Sequence, residues 1–222
     1  MSYIVAIDGP AGSGKGTITE TMSKEFNLIN IGSGAAYRCV ALETINKGIK
    51  VEEKEKIIAL LDEINIEFRI EEGKDVIYLN GENVTSRIRE KDVAKIVSQV
   101  SAIKEVRFKL NDIFRKCAEG KNVIMEGRDI GTYVFPNADV KIYLDATPEE
   151  RAQRRFKQNK ENGIDIPFDE ILKNVKERDY IDSHREIAPL KKAPEAIYID
   201  STGMTIDEEA DEVIKIIEEK RK

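Results

Sequence analysis

The sequence predicts an α/β fold of three layers, a P-loop type of fold with a mostly parallel five-stranded sheet, a small antiparallel β insertion and a helical lid. Short apolar runs alternate along the chain with stretches of helical periodicity, the pattern of strands buried on both faces and joined by helices. A glycine-rich turn follows the first of these runs. The predicted core strands are 3–8, 28–31, 122–126, 140–145 and 196–200.

The first strand leads directly into the turn Gly9-Pro-Ala-Gly-Ser-Gly-Lys-Gly-Thr17, and a helix is predicted from about Lys15. Glycines allow such a turn to point backbone N–H groups inward, while the helix N-terminus and the lysine add positive charge. The spacing G-x-x-x-x-G-K is that of the P-loop, which binds polyphosphates. We therefore expect a nucleoside triphosphate to contact Gly9, Pro10, Ala11, Gly12, Ser13, Gly14, Lys15, Gly16 and Thr17.

Length and composition limit the classes of protein that are possible. With 222 residues, 41% of them hydrophobic, the chain can form one domain with an insertion. A net charge of −6 argues against a surface that coats nucleic acid. No apolar run approaches the roughly 18 residues of a membrane span. Cys39 and Cys117 form no C-x-x-C motif, which favours reduced thiols in a cytoplasmic protein. We expect a monomer with no membrane or nucleic-acid partner.

Residues 65–88 interrupt the alternation of strands and helices. Residues 65–70 and 76–79 alternate apolar and polar side chains around a Glu-Glu-Gly-Lys-Asp turn, and Asn80-Gly81 begins another turn. This pattern predicts a half-exposed antiparallel meander inserted into the α/β body. We interpret it as an element that closes over a substrate; a surface hairpin without such a role is the alternative.

A second interruption, at about 151–167, is interpreted as the lid. Thr147-Pro148-Glu149-Glu150 fits a capping box, as does Thr205-Ile206-Asp207-Glu208 later in the chain, so a helix is predicted to begin at each. Three arginines share one face of the earlier helix, and the polar stretch after it contains Gly163. A solvated helix face is the alternative. The arginines are Arg151, Arg154 and Arg155, and the core would comprise about 1–64, 89–150 and 168–222.

Four further arginines indicate a second phosphate-bearing ligand. Arg38 follows the second predicted strand, and Arg128 with Asp129 follows the third. The carboxyl ends of parallel strands line the ligand crevice, so these side chains should face the P-loop. One arginine alone is better explained as a surface ion pair, but several together suit phosphate, which guanidinium groups bind in a bidentate manner. The other two are Arg178 and Arg185.

Several short motifs occur in order along the chain: Gly9 to Thr17, Gly32-Ser-Gly-Ala-Ala-Tyr-Arg38, Ser98-Gln-Val100, Glu126-Gly-Arg-Asp129, Gly131-Thr132, Val134-Phe-Pro136, Arg151-Ala-Gln-Arg-Arg155, Glu177-Arg-Asp179 with Asp182, and Ala188-Pro-Leu190. This set resembles that of bacterial cytidylate kinases over essentially the whole chain. Among nucleoside monophosphate kinases, the Gly-Arg-Asp and Val-Phe-Pro motifs with the meander are specific to that family. The resemblance implies phosphoryl transfer from ATP to CMP or dCMP, giving ADP and CDP or dCDP, with Mg²⁺.

The resemblance also implies roles for individual residues. The transferring phosphate would be stabilised by Lys15, Arg128, Arg154 and Arg155, and ATP would also contact Arg151. The phosphate of CMP would be bound by Arg38 and Arg128, and its ribose by Arg178 and Asp182. The remaining residues expected to bind CMP, mostly around the cytosine, are Ser33, Ser98, Arg107, Asp129 and Arg185.

Asp129 suits cytosine chemically. The 4-amino group of cytosine donates hydrogen bonds to a carboxylate, whereas uracil would present a second acceptor and be rejected. Thr17 is the candidate for a contact with Mg²⁺ or its water, and Asp8 either orders that water or has a structural role. Gly32 and Glu126 depart from the family pattern, because both stand where aspartate is common.

Two rival functions stay open. One is a kinase of the same fold with another acceptor, such as UMP or a non-nucleotide alcohol. The other is a regulatory NTPase or nucleotide sensor without phosphotransfer. The convergent arginines and the lack of an Asn-Lys-x-Asp guanine motif argue against the second rival.

Overall fold

The computed structural model describes residues 2–221. Its strands are β1 (Ile4–Asp8), β2 (Ile29–Gly32), β3 (Ile66–Glu71), β4 (Lys74–Leu79), β5 (Glu82–Asn83), β6 (Val123–Gly127), β7 (Val140–Asp145) and β8 (Ile197–Asp200). Its helices are α1 (Lys15–Glu25), α2 (Ser33–Asn46), α3 (Lys54–Leu60), α4 (Lys91–Ser101), α5 (Lys104–Ala118), α6 (Pro148–Glu161), α7 (Phe168–His184) and α8 (Ile206–Arg221).

Five strands form a parallel sheet in the order β2-β6-β1-β7-β8. In its register Ile7 faces Ile142, and Ile142 in turn faces Ile197. The predicted α/β fold with a parallel sheet is therefore confirmed. Each of the five strands lies within one residue of its predicted bounds, because a short apolar run buried on both faces has a sharp beginning and end.

The chain divides into two compact units. The loop unit comprises Tyr3–Leu28 and the chain from Ile124 onward, and the insertion unit is built on Ile29–Val123. In the loop unit, α1 and α8 pack against apolar residues of β1, β6, β7 and β8. A smaller cluster joins α6 to α7 through the buried side chains of Ala152, Ile171 and Val175.

The insertion unit contains the second sheet, in which β3, β4 and β5 are antiparallel. Phe68 of β3 faces Ile77 of β4, and its ring lies 6.5 Å from that of Phe114 on α5. The sheet thus has one face packed on helix α5, as the alternating pattern predicts. The meander expected between 65 and 88 is confirmed.

Two further predictions can be compared with the structure. Cys39 and Cys117 are free thiols; Cys39 is fully buried, and this burial raises the pKa of its thiol to about 12. Helix α6 begins at Pro148, directly after Thr147, where the sequence predicts a helix to begin, and the lid at about 151–167 stays a prediction. None of the helices among residues 2–221 combines the length and apolar character that crossing a bilayer requires.

Candidate active site

The glycine-rich loop connects β1 to α1 at the carboxyl end of the sheet. At Gly9, a Cβ atom would lie 2.0 Å from the carbonyl oxygen of Leu144, so only glycine fits there. Gly14 precedes α1 with a φ of +91°, and a Cβ on it would lie 2.7 Å from Oε2 of Glu209. The loop is therefore a close-packed structure that depends on its glycines.

Lys15, the first residue of α1, is buried inside the loop. Its Nζ donates hydrogen bonds to the Pro10 carbonyl oxygen (2.7 Å) and to Ser13 Oγ (3.2 Å). The pKa of Lys15 is lowered to about 7, mainly by burial and then by the positive charge of Arg128, while nearby carboxylates oppose the shift. The loop therefore holds a cation whose charge an incoming anion would stabilise.

Asp8, the last residue of β1, has a structural role in this site. Its two oxygens accept hydrogen bonds from the backbone N–H groups of Ile130 (2.8 Å) and Gly131 (2.7 Å). The pKa of Asp8 is raised to about 6, mainly by burial and to a smaller extent by the charge of Asp129, although these two hydrogen bonds oppose the shift. The sequence left two roles open for Asp8, and the hydrogen bonds to Ile130 and Gly131 are those of a structural role.

Arg128 and Asp129 follow β6, and both pair with α7 or the residue after it. Arg128 Nε lies 2.8 Å from Asp182 Oδ2, and Asp129 Oδ1 lies 3.1 Å from Arg185 Nη2. Arg185 also donates from Nε to the carbonyl oxygen of Ala188 (2.7 Å). The structure thus brings together four residues that the sequence assigned to one ligand.

Positive charge converges around Arg178 of α7. The residue is exposed as a whole, yet crowding of its guanidinium by protein lowers its pKa, and the charges of Arg128 and Arg155 lower it further. Asp182 and Glu126 act in the opposite direction. Arg178 therefore lies within electrostatic reach of two other guanidinium groups, an arrangement that favours the binding of an anion.

The α6 arginines differ in their surroundings. Arg151 is buried and bound to Asp179, whereas Arg155 is exposed. Arg154 Nη1 lies 2.8 Å from Oε1 of Glu209 on α8, and its Nη2 donates to the Ser201 carbonyl oxygen (2.7 Å). Arg151 and Arg154 therefore hold neighbouring elements of the protein in place.

The remaining predicted residues belong to the insertion unit and are described within it. Ser33 begins α2, and Arg38 on the same helix donates from Nη1 to the Ile88 carbonyl oxygen (3.2 Å). Ser98 is exposed on α4. Arg107 is buried on α5, with its guanidinium carbon 5.7 Å from the ring centroid of Tyr37. The serines and arginines keep their assigned roles as predictions.

Sequence reasoning did not assign three residues that this geometry involves. Tyr37 precedes Arg38, and an aromatic ring beside arginines could have been recognised as a cation–π partner. Asp179 lies between Arg178 and Asp182 in a motif that was already identified. Glu209 gave no signal, because a glutamate in the first turn of an acidic helix has the appearance of an ordinary surface residue.

A strand, a glycine-rich loop and a helix beginning at lysine define an α/β protein of the P-loop class. Residues 5–219 match the sequence model of the family described as cytidylate kinase. The chain belongs to the cytidylate kinase family, an enzyme family of phosphotransferases, and the expectation of an enzyme is confirmed.

Curated relatives support this membership. A cytidylate kinase of Caldicellulosiruptor saccharolyticus is 48% identical over 212 residues, covering 96% of this chain and 94% of the relative. A cytidylate kinase of Fusobacterium nucleatum is 48% identical over 217 residues, covering 98% of each. Among solved structures, an uncharacterised protein of Eubacterium ventriosum shares the fold, with a TM-score of 0.56, 14% identity, and coverage of 98% of this chain and 99% of the other.

Proposed function

We propose that this protein transfers the γ-phosphate of ATP to CMP or dCMP, giving ADP and CDP or dCDP. One observation carries the proposal: in a chain that matches the cytidylate kinase family over residues 5–219, Lys15 is buried inside a glycine-rich loop with its Nζ 2.7 Å from the Pro10 carbonyl oxygen. The charge of Arg128 also contributes to lowering the pKa of Lys15, which places the arginine assigned to the acceptor phosphate within electrostatic reach of the lysine assigned to the donor. Two phosphates bound in one positively charged region would be favourably placed for transfer.

The assignments derived from the resemblance complete this proposal. ATP would bind along residues 9–17. The phosphate of CMP would contact Arg38 and Arg128, and Arg178 with Asp182 would contact the ribose. The residues proposed for the rest of CMP, mainly its base, are Ser33, Ser98, Arg107, Asp129 and Arg185.

In-line phosphoryl transfer requires no protein nucleophile. The protein must align the two substrates, exclude water and stabilise charge on the oxygens of the transferring group. Lys15 and Arg128 supply positive charge where the phosphates meet, and exposed Arg155 adds charge from α6. Arg154, bound to Glu209 and Ser201, would contribute mainly by holding α6 and α8 beside the loop.

The side chains that could bind a metal suit Mg²⁺ that arrives already bound to a nucleotide. Among the residues that the structure describes, no group of three or more His, Cys, Asp or Glu side chains is placed to hold a metal. Magnesium in kinases takes most of its ligands from phosphates and water, and Thr17, exposed at the start of α1, offers one hydroxyl. When bound, Mg²⁺ would neutralise phosphate charge.

Recognition of cytosine is proposed to depend on Asp129. Its carboxylate would accept a hydrogen bond from the 4-amino group, and the Arg185 guanidinium, 3.1 Å from Oδ1, holds the carboxylate in position. We further propose that the protein acts as a cytoplasmic monomer whose ligands are ATP and CMP or dCMP.

The test is ATP-dependent diphosphate formation from CMP, dCMP, UMP and AMP with Mg²⁺. We expect strong turnover of CMP and dCMP and little of UMP. The Lys15→Ala variant serves as the control for contaminating kinases. Its turnover should be lower by about 100-fold or more, because the negative charge of the transition state loses the lysine that stabilises it. Equal rates for UMP would contradict the role of Asp129. Hydrolysis of ATP that no acceptor affects would favour a regulatory NTPase.

A further inference from the structure

Arg151 of α6 is almost completely enclosed by protein. Its side chain is 3% exposed, and its Nε donates to the Ala146 carbonyl oxygen at 2.8 Å. Nη1 donates to the Ala11 carbonyl oxygen at 3.0 Å. Nη1 and Nη2 together bind the two carboxylate oxygens of Asp179, at 2.9 and 2.6 Å. These bonds use four of the five N–H groups of the guanidinium, so most of its binding capacity is directed at the protein.

The contact with Ala11 has a consequence for the loop. In a trans peptide the carbonyl group of one residue and the N–H of the next point in opposite directions. Holding the Ala11 carbonyl oxygen against Arg151 therefore directs the Gly12 N–H to the opposite side. The loop also lies close to the arginine, since a Cβ on Gly12 would be 3.3 Å from Arg151 Cβ.

Asp179 determines where this guanidinium can lie. A bidentate carboxylate fixes both the position and the plane of an arginine, and here it does so from α7. The same helix carries Arg178 and Asp182, and Arg185 follows it directly. Helix α7 therefore bears residues proposed to bind CMP. Through Arg151, it also holds the Ala11–Gly12 peptide of the glycine-rich loop, which is proposed to bind ATP.

We propose that Asp179 is a positioning residue for ATP binding, acting through Arg151 on the Ala11–Gly12 peptide. The identity of the nucleotide rests on the function proposed above. Arg151 then acts on ATP through the loop backbone, in place of the direct contact that the resemblance implied. Loss of the Asp179 charge should weaken the binding of ATP and leave the binding of CMP nearly unchanged.

The main test is Asp179→Asn, which preserves size and removes the charge. We expect the dissociation constant of ATP, measured calorimetrically without an acceptor, to rise by about tenfold, as for the loss of a charge-assisted hydrogen bond. The KM for ATP should rise similarly, while the KM for CMP changes less than about twofold. An unaltered ATP affinity, or an equal rise in both KM values, would overturn the proposal.

The matched control is Lys176→Gln. Lys176 and Glu149 form another ion pair between α7 and α6, at 2.9 Å, but both side chains are more than half exposed. The hydrogen bonds of Arg151 go to Ala146, Ala11 and Asp179, and Lys176→Gln removes none of them, so this variant should leave both KM values unchanged. A shift of the ATP constants in this variant equal to that in Asp179→Asn would show that any weakened contact between the two helices suffices, and would refute a specific role for Asp179.

A second readout needs no ligand. In a ¹⁵N-labelled protein, the Gly12 amide resonance should shift in Asp179→Asn and stay in place in Lys176→Gln. An unshifted Gly12 resonance would overturn the proposal even if the wild-type protein had no CMP kinase activity. If Asp179→Asn does not fold, Arg151→Lys replaces it, because one ammonium group cannot bind Ala11 and both Asp179 oxygens in the same geometry. Unchanged ATP affinity in that variant would also refute the proposal.

Discussion

Two oppositely oriented ion pairs connect the segment after β6 with α7 and the residue that follows it. Arg128 reaches Asp182, and Arg185 reaches Asp129. An aspartate held by an arginine keeps a fixed lone-pair direction, which a site needs if it distinguishes an amino group from a carbonyl oxygen. Exchanging either partner would disturb the other, so each pair acts as a unit.

At this scale, Asp129→Ala is expected to reduce the preference for CMP over UMP. The carboxylate that accepts from the 4-amino group would be lost, and UMP would no longer bring two acceptors together. We expect the ratio of kcat/KM values for the two acceptors to fall by about 10- to 100-fold. The ratio is measured with purified variant and wild-type enzymes.

Asp112→Ala provides the control, because Asp112 pairs with Arg115 at the exposed surface of the insertion unit. Its acceptor preference should equal that of the wild type. A preference that survives in Asp129→Ala would mean that other groups recognise the base.

Two helices of the loop unit have similar sequences at their starts but different caps. At α8, Thr205 Oγ1 accepts from the Glu208 N–H (3.3 Å), and Glu208 Oε2 accepts from the Thr205 N–H (2.8 Å). At α6, Thr147 accepts from the Glu150 N–H, but the Glu150 carboxylate binds Arg154. The predicted capping box is complete at α8 and only half formed at α6.

The sequence could not reveal this difference, because it depends on distant residues. The Thr147 N–H donates to Thr202 Oγ1 at 3.0 Å, so it does not need Glu150. The beginning of each helix could be predicted from four consecutive residues, since capping is a local interaction. The partners of Arg154 outside its own helix could not be predicted, because helical periodicity shows which residues share a face of the helix and not what packs against that face.

At the scale of these elements we expect Thr205→Ala to lower the free energy of unfolding by about 1 kcal/mol. A double-mutant cycle of Thr205→Ala with Glu208→Ala should show coupling, because each removes a bond made by the other. The corresponding cycle of Thr147→Ala with Glu150→Ala should be close to additive. Urea unfolding of the six variants measures both. Equal coupling in the two helices would contradict the cap geometry.

For the molecule as a whole, two buried charges beside the loop make stability depend on pH. Asp8, with its pKa raised to about 6, favours the folded state less as pH rises from about 4 to 6, because the folded form binds a proton that the unfolded form has released. Lys15, with its pKa lowered to about 7, has the opposite effect at higher pH. Between about pH 7 and 10.5 only the unfolded chain retains the lysine proton, so stability rises with pH.

Lys15→Met is expected to remove this alkaline contribution. The free energy of unfolding of the wild type, measured relative to that of the variant, should increase steadily from pH 7 to 9.5. Both proteins carry the same other titrating groups, so the difference isolates Lys15. A difference that does not vary with pH would show that Lys15 titrates near its ordinary pKa in the folded protein.

The fold was predictable from sequence to a greater extent than the connections within the site. The strands, the meander and the loop depend on patterns a few residues long. The contact of Arg151 with Asp179, and that of Arg154 with Glu209, join residues far apart in the chain. Asp179 and Glu209 were therefore missed, since only the folded chain shows which acidic side chain binds which arginine.

The sheet order also affects how the protein is made. Strand β1 comes first in the chain but lies in the centre of the sheet, between β6 and β7, and Val5 pairs with Val140. A ribosome releases the chain from its N-terminus, so β1 must wait without either neighbour until more than half of the protein has been synthesised. Its apolar run Ile4-Val-Ala-Ile7 is exposed meanwhile, and nascent chains should therefore present a chaperone-binding segment at their N-terminus until β7 has emerged.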